Sequence, residues 1–405
     1  MKKKNSILAV FILTFLFFLF PDSGKASLNR FCSPGSSQLP ETALFNDGEN
    51  ALSAELAKKL QEIFEARATA LLTGANPSWI EPFYEKLTRS GRWALAHEQT
   101  KISFVQNWAE KRGVRIVEAR PTLYVKWSKI QKETAEFNLW QNLALGYQYP
   151  DQKEITNRFG IGTRHYLKLT KKDNRWVISH DWYTDPLGDD TLISKPIPAE
   201  GCADLKTGLK EAPAKKSTSD PCGTTLYDRT AAVSYADKYA GLAVIAGERK
   251  YNPRYRDLTH RGGDCTNFVS QVLGDKEGGK LPMDSVWYYR YDSDGGNGST
   301  AWVRADCFVR WLLSGGRAIR VTKGNYSEVG QPTAEFPLSA VRELKEGDLI
   351  AYEEKLNIQH FAVITGHDSK GYPLVNAHTA DRYHCPWDIG WDRATVFHLF
   401  HIRDT

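Results

Sequence analysis

"RGGDCTNFVSQVL", residues 261–273, is the stretch from which the rest of the chain can be read. From Cys265 onward Phe268, Val269, Val272 and Leu273 recur at three- and four-residue spacing, the buried stripe of a helix whose first turn holds the thiol. Gly262 and Gly263 let the backbone turn sharply into that helix, and Asp264 is placed to cap it. A thiol there faces the positive end of the helix dipole, which favours thiolate. An unreactive core cysteine would show the same apolar stripe. The chemistry therefore depends on what else the chain brings to Cys265.

Three short strands follow downstream. "EGDLIAY" (346–352), "HFAVITG" (360–366) and "PLVNAHT" (373–379) are apolar runs, and "HDSKG" (367–371) reads as the hairpin turn between the last two. Alternation puts His360, Ala362 and Ile364 on one face, and Leu374, Asn376 and His378 on one face of the next strand. If the hairpin presents those two faces together, His360 meets Asn376 or His378. A helix-borne cysteine packed on that sheet completes a thiol nucleophile, a histidine proton shuttle and a polar residue that fixes the imidazole tautomer.

The ordered series "YDRTAAVSYADKYA", "GGDCTNFVSQVL", "STAWVRADCFVRWLL", "EGDLIAY", "HFAVITG" and "NAHTADR" resembles the putative amidase domain, a family similar to the NlpC and CHAP groups of papain-like cysteine peptidases and amidases. The resemblance covers residues 226–405. It implies a papain-like α+β catalytic domain without a cofactor, with Cys265 as nucleophile and His360 as base. For the third position it marks His378 of the "HT" pair, with Asn376 as the alternative. The implied reaction is hydrolysis of an amide bond, in peptidoglycan peptides or another amide substrate. Asp264 beside the nucleophile and Trp302 in "STAWVRADCFVRWLL" are candidate substrate-binding residues, although aromatic residues more often fill cores.

Upstream, "ALSAELAKKLQEIFEARATALL" (51–72) keeps an apolar helical face, and a second helical region follows. Then "VRIVEAR", "TLYVKWSKI", "EFNLWQNLALGY", "RHYLKLT" and "RWVISHDWYTD" form extended runs, with "KKDN" (171–174) as a hairpin turn. Helices followed by an antiparallel meander make a helix-plus-antiparallel-sheet domain over 50–190, similar in order to cystatin-like or nuclear-transport-factor-two-like domains. His165 and His180 lie on adjacent expected strands with Asp181 close by, which would suit a metal or an acid/base pair, although strand histidines on a half-exposed sheet face are common. Residues 191–225 have linker composition, which leaves 226–405 as the catalytic domain.

The first 26 residues hold a basic head, "MKKKNS", an apolar run, "ILAVFILTFLFFLF", and a small-residue site before Ser27. This is the layout of a signal peptide for export, followed by an irregular segment over 27–49. In an oxidising compartment the six cysteines invite disulfides, with Cys202 and Cys222 placed to close a loop. The net charge of +5 over 405 residues is small for a dedicated nucleic-acid binder but suits contact with anionic wall polymers. Zinc hydrolysis through His360, His367, His378, His384 and Asp381 matches no compact ligand spacing. Acyl transfer through the same thioester, or a non-catalytic envelope-binding module, are the other readings of this fold.

Overall fold

Side-chain caps that the sequence supplies start the first two helices. Ser53 accepts the Leu56 N–H at the start of α1 (Ala54–Ala70), and Thr88 accepts that of Gly91 at the start of α2 (Arg89–Lys111). Leu56, Leu60, Ile63 and Phe64 form the buried stripe of α1. A 3-10 segment, Pro77–Phe83, joins the two. The structure is a computed structural model that describes residues 43–46, 52–187, 227–241, 251–292, 295–379, 381–391 and 394–404. The signal-like segment, the linker and the Cys202–Cys222 pair lie outside the described residues.

The short strand β1 (Ala43–Asn46) runs parallel to β2 (Arg115–Ile130). An antiparallel meander continues through β3 (Thr134–Gln148), β4 (Asn157–Lys172) and β5 (Arg175–Tyr183). "VRIVEAR" and "TLYVKWSKI" fuse into the single strand β2 although Pro121 lies between them. Pairing with β1 begins only at Thr122, so that neighbour requires no N–H from the proline. The turn before β5 holds Asp173 and Asn174 at φ 46° and 61°, the left-handed pair of a tight hairpin.

After α3 (Arg229–Lys238) and α4 (Cys265–Gly274), β6 (Tyr289–Arg290) and β7 (Asn297–Gly298) make a small ribbon. "STAWVRADCFVRWLL" forms two helices, α5 (Thr300–Val303) and α6 (Ala305–Ser314), because Arg304 between them is extended. The break turns Trp302 onto α4, where its ring N–H donates to Asn267 and its carbonyl accepts from Ser270. The remaining elements are β8 (Ala318–Gly324), α7 (Tyr326–Gly330), β9 (Leu349–Glu354), β10 (Asn357–His367), β11 (Pro373–Ala377), β12 (Asp381–Pro386) and β13 (Val396–Ile402).

This is an α+β fold, and its two sequence regions share one sheet. The strand order is β1-β2-β3-β4-β12-β11-β10-β9-β13-β8, with β5 also paired to β4, eleven strands in all. The seam is β12 against the first half of β4, from Asp381 opposite Gly162 to Tyr383 opposite Gly160. One core runs beneath α1 and α2 and continues across the seam to Val375, Trp387 and Phe397. The other lies on the opposite face, where Phe268, Val272 and Trp311 cover Phe361, Val363 and Phe400. Buried Asp388 reinforces the seam by accepting from Trp108 and Arg112 of the first region.

Glu41–Thr405 therefore forms one compact unit, and the linker separates sequence patterns rather than folding units. A fragment beginning at residue 226 exposes the seam edge of β12 and leaves Asp388 without its partners. We expect it to aggregate or melt well below the intact chain in circular-dichroism thermal scans; a fragment as stable as the full chain would contradict the shared core.

Candidate active site

The turn expected before the cysteine is present. Gly262 and Gly263 sit at φ 108° and 114°, where a side chain would be strained, and Cys265 is the first residue of α4. Asp264 does not cap its own helix, however. Its Oδ1 accepts from the Leu258 N–H at 2.9 Å and from the Asn267 amide at 2.8 Å, and its Oδ2 meets His378 Nδ1 at 2.6 Å. Its own N–H donates to the Thr379 hydroxyl at 2.7 Å. Both residues of the "HT" pair thus grip the residue directly before the thiol.

His378 lies just past the end of β11, fully buried, with its ring between Tyr251 at 3.8 Å and Phe268 at 3.9 Å. Its Nε2 meets the Tyr239 carbonyl at 2.6 Å. Both ring nitrogens are thus engaged by oxygen partners, Asp264 on one side and the Tyr239 carbonyl on the other. With both nitrogens engaged, no hydrogen bond from His378 reaches His360.

Cys265 Sγ lies at the open backbone edge of β10, 3.9 Å from the Gln359 carbonyl and 3.9 Å from the Thr266 hydroxyl. The Phe361 N–H bonds to the sulfur, so the thiol rests against the backbone on both sides of His360. The His360 ring packs beside Tyr352 and Trp391, with its Nε2 buried and lacking a hydrogen-bond partner. Thiol and imidazole are not hydrogen-bonded to each other. Burial pushes the Cys265 thiol above its ordinary range, and the bonds from Phe361 and Thr266 offset this only in part. Burial, then Arg382 and His378, lowers His360 to about 3. The resting pair near neutral pH is thiol and neutral imidazole, not the thiolate expected from the helix dipole.

Strand register explains why Asn376 does not face His360. Asn376 stands directly opposite Val363, and opposite residues share a face. Val363 packs under the helices, whereas Ala362 and Ile364 face the other core together with the Tyr352–Trp391 pair beside His360. Asn376 accordingly donates to Asp237 of α3 and accepts from Thr365 and the His384 N–H. Trp302 is fully buried against Trp287, so it is a core residue with no surface to offer a substrate. Asp264, buried and bonded on both oxygens, holds the turn before Cys265 and has no surface to offer a substrate.

His384 and Asp381 bond to Asp237 and Tyr251 respectively, and among the described residues no three metal-ligating side chains converge. His165 is buried between Thr163 and Asp181, while His180 lies on the opposite sheet face. Thr379, Tyr251 and Trp391 are contacts the sequence reading missed. Thr379 had a signal, since it adjoins His378; Tyr251 and Trp391 have none outside the fold.

Residues 226–400 match the family model described as Putative amidase domain, which supports amide hydrolysis as the general class of activity. No curated protein matches the chain. Among solved structures, a putative calcium/calmodulin-dependent protein kinase II association domain from Xanthomonas campestris aligns at 12% identity, covering 36% of this chain and 93% of its own, with a TM-score of 0.20.

Two outcomes follow from this geometry. Iodoacetamide should modify Cys265 slowly at neutral pH, with a rate that climbs only above the range of a free thiol, about 8.5. Rapid modification below neutrality, followed by peptide mass spectrometry, would contradict the neutral resting pair. Asp264→Ala leaves the Leu258 N–H, the Asn267 amide and buried His378 Nδ1 without their shared partner and should lower unfolding stability by about 3 kcal/mol in denaturant titration.

Proposed function

We propose that the chain is an exported, cysteine-dependent amidase of papain-like arrangement, acting on amide bonds of the cell envelope, with peptidoglycan peptides as its substrate class. One observation carries the chemistry. A helix-start thiol is held against the backbone on both sides of a histidine whose buried Nε2 has no partner.

In this reading a neutral His360 takes the Cys265 proton as sulfur attacks the amide carbonyl carbon, so no thiolate need form beforehand. The C–N bond then breaks, the departing amine takes that proton from His360, and the acyl group remains on sulfur as a thioester. Water, deprotonated by the same imidazole, attacks the thioester, and carboxylic acid leaves as the thiol is restored. Asp264, His378 and Thr379 act before any of this by fixing the turn that aims Cys265. Export is supported by the signal-like start of the sequence and by Cys307, which is disulfide-bonded, a state that oxidising compartments maintain.

Cys265→Ala should abolish release of free amine and carboxylate from purified peptidoglycan while leaving the circular-dichroism spectrum unchanged. His360→Ala should lower the rate by about a hundredfold or more, the range for loss of a general base. Full activity in a folded Cys265→Ala protein would end the cysteine reading. Product formed only when an amine acceptor is added would identify acyl transfer in place of hydrolysis.

A further inference from the structure

The sheet of the first region has one face beneath α1 and α2, and it leaves the other uncovered by any described helix. Strand register sorts this outer face into rows. Trp127, Asn138, Tyr166 and Trp182 stand directly opposite one another across β2, β3, β4 and β5. Beside them, Phe45, Tyr124, Trp140 and Arg164 form a second row across β1 to β4. Lys129, Glu136, Lys168 and His180 form a third. Trp127 is 46% exposed, Tyr166 41%, Trp182 55% and Phe45 49%, although burial of large rings is favoured wherever a core can take them.

We propose that this outer face is a binding platform for a glycan chain, and that under the amidase reading it holds the glycan strands of peptidoglycan. Sugars present flat C–H faces that stack on aromatic rings, and hydroxyls that need donors and acceptors beside those rings. The face offers both: Asn138 stands in register between Trp127 and Tyr166, while Glu136 and Lys168 flank them and bond to each other at 3.2 Å. Trp127 and Tyr166 are two strands apart, about 10 Å at ordinary strand spacing, a separation comparable to a disaccharide.

The charge of the face selects among partners. Its cations Lys126, Lys129, Arg164 and Lys168 outnumber Glu136, but Lys168 is paired with Glu136 and Arg164 with Asp381. Such a modest surplus suits a glycan with sparse carboxylates. A nucleic acid brings a charge at every phosphate and calls for a more cationic groove. Two copies of a net-positive face would repel each other.

The platform also leads to the candidate site. Arg164 at the end of the second row bonds to Tyr251 and Asp381, and Tyr251 stacks on His378, which holds Asp264. The outer face and α4 lie on the same side of the shared sheet, since the opposite side is the core under α1 and α2.

The test is co-sedimentation of the full chain carrying Cys265→Ala with purified, insoluble peptidoglycan. This background measures binding without hydrolysis, so the result does not depend on the cysteine mechanism. Adding Trp127→Ala and Trp182→Ala should weaken the apparent Kd at least about tenfold with an unchanged circular-dichroism spectrum, the scale of losing two hot-spot aromatics. Equal binding by the ring variant, or none by its parent, overturns the platform. So does a parental dimer that becomes monomeric when the rings are removed, which would assign the face to a second copy. Ring-dependent binding of a single-stranded oligonucleotide in place of peptidoglycan at the same salt overturns it as well.

Discussion

One buried carboxylate holds together segments that sequence places far apart. Asp264 receives the Leu258 N–H from the preceding loop, the Asn267 amide from α4 and the His378 imidazole from the end of β11. Through His378 the same charge is tied to the Tyr239 carbonyl just past α3. An ionised carboxylate in the interior is tolerated only when its oxygens are satisfied and its charge is balanced. The geometry around Cys265 is thereby over-determined: moving it would strip donors from Asp264. That constraint makes the aspartate and the histidine positioning residues for the turn that carries Cys265.

The burial that fixes the geometry also sets the chemistry. A helix N-terminus stabilises a negative charge by roughly 0.3–1 kcal/mol at exposed sites, less than one pKa unit at about 1.4 kcal/mol per unit. Removing a thiolate from water costs more than that, with shifts of up to several units for fully buried groups. For Cys265 desolvation is the largest influence and the direction is upward. The same effect keeps His360 neutral and able to accept a proton. A buried, protonated thiol is also protected from oxidants, which act on exposed thiolates.

Local patterns in the sequence translated well and pairwise geometry did not. The helix of Cys265, the meander and the "KKDN" and "HDSKG" turns rest on spacing and on turn residues, which act within a few positions. The partnership of His360 with Asn376 depended on register, where a shift of one residue moves a side chain to the other face. The shared sheet was hidden from the sequence for a related reason. Glycine-rich "FGIG" in β4 reads as an ordinary strand, and nothing local shows that its edge accepts β12 from more than two hundred residues away. Trp302 misled because exposed and core tryptophans look alike in sequence until the extended Arg304 is seen to turn this one inward.

The shared sheet gives the first region a part in the site that sequence could not assign. Tyr251 covers one face of the His378 ring, and its hydroxyl is held between Arg164 and Asp381. Arg164 comes from β4, so the meander supplies one wall of the cage around the histidine that fixes Asp264. The row of Phe45, Tyr124 and Trp140 on the outer face ends at that same arginine. Separating the two regions would remove the outer aromatic face and the cage wall together, so it is the continuous sheet that keeps Arg164 beside Tyr251 and Asp381.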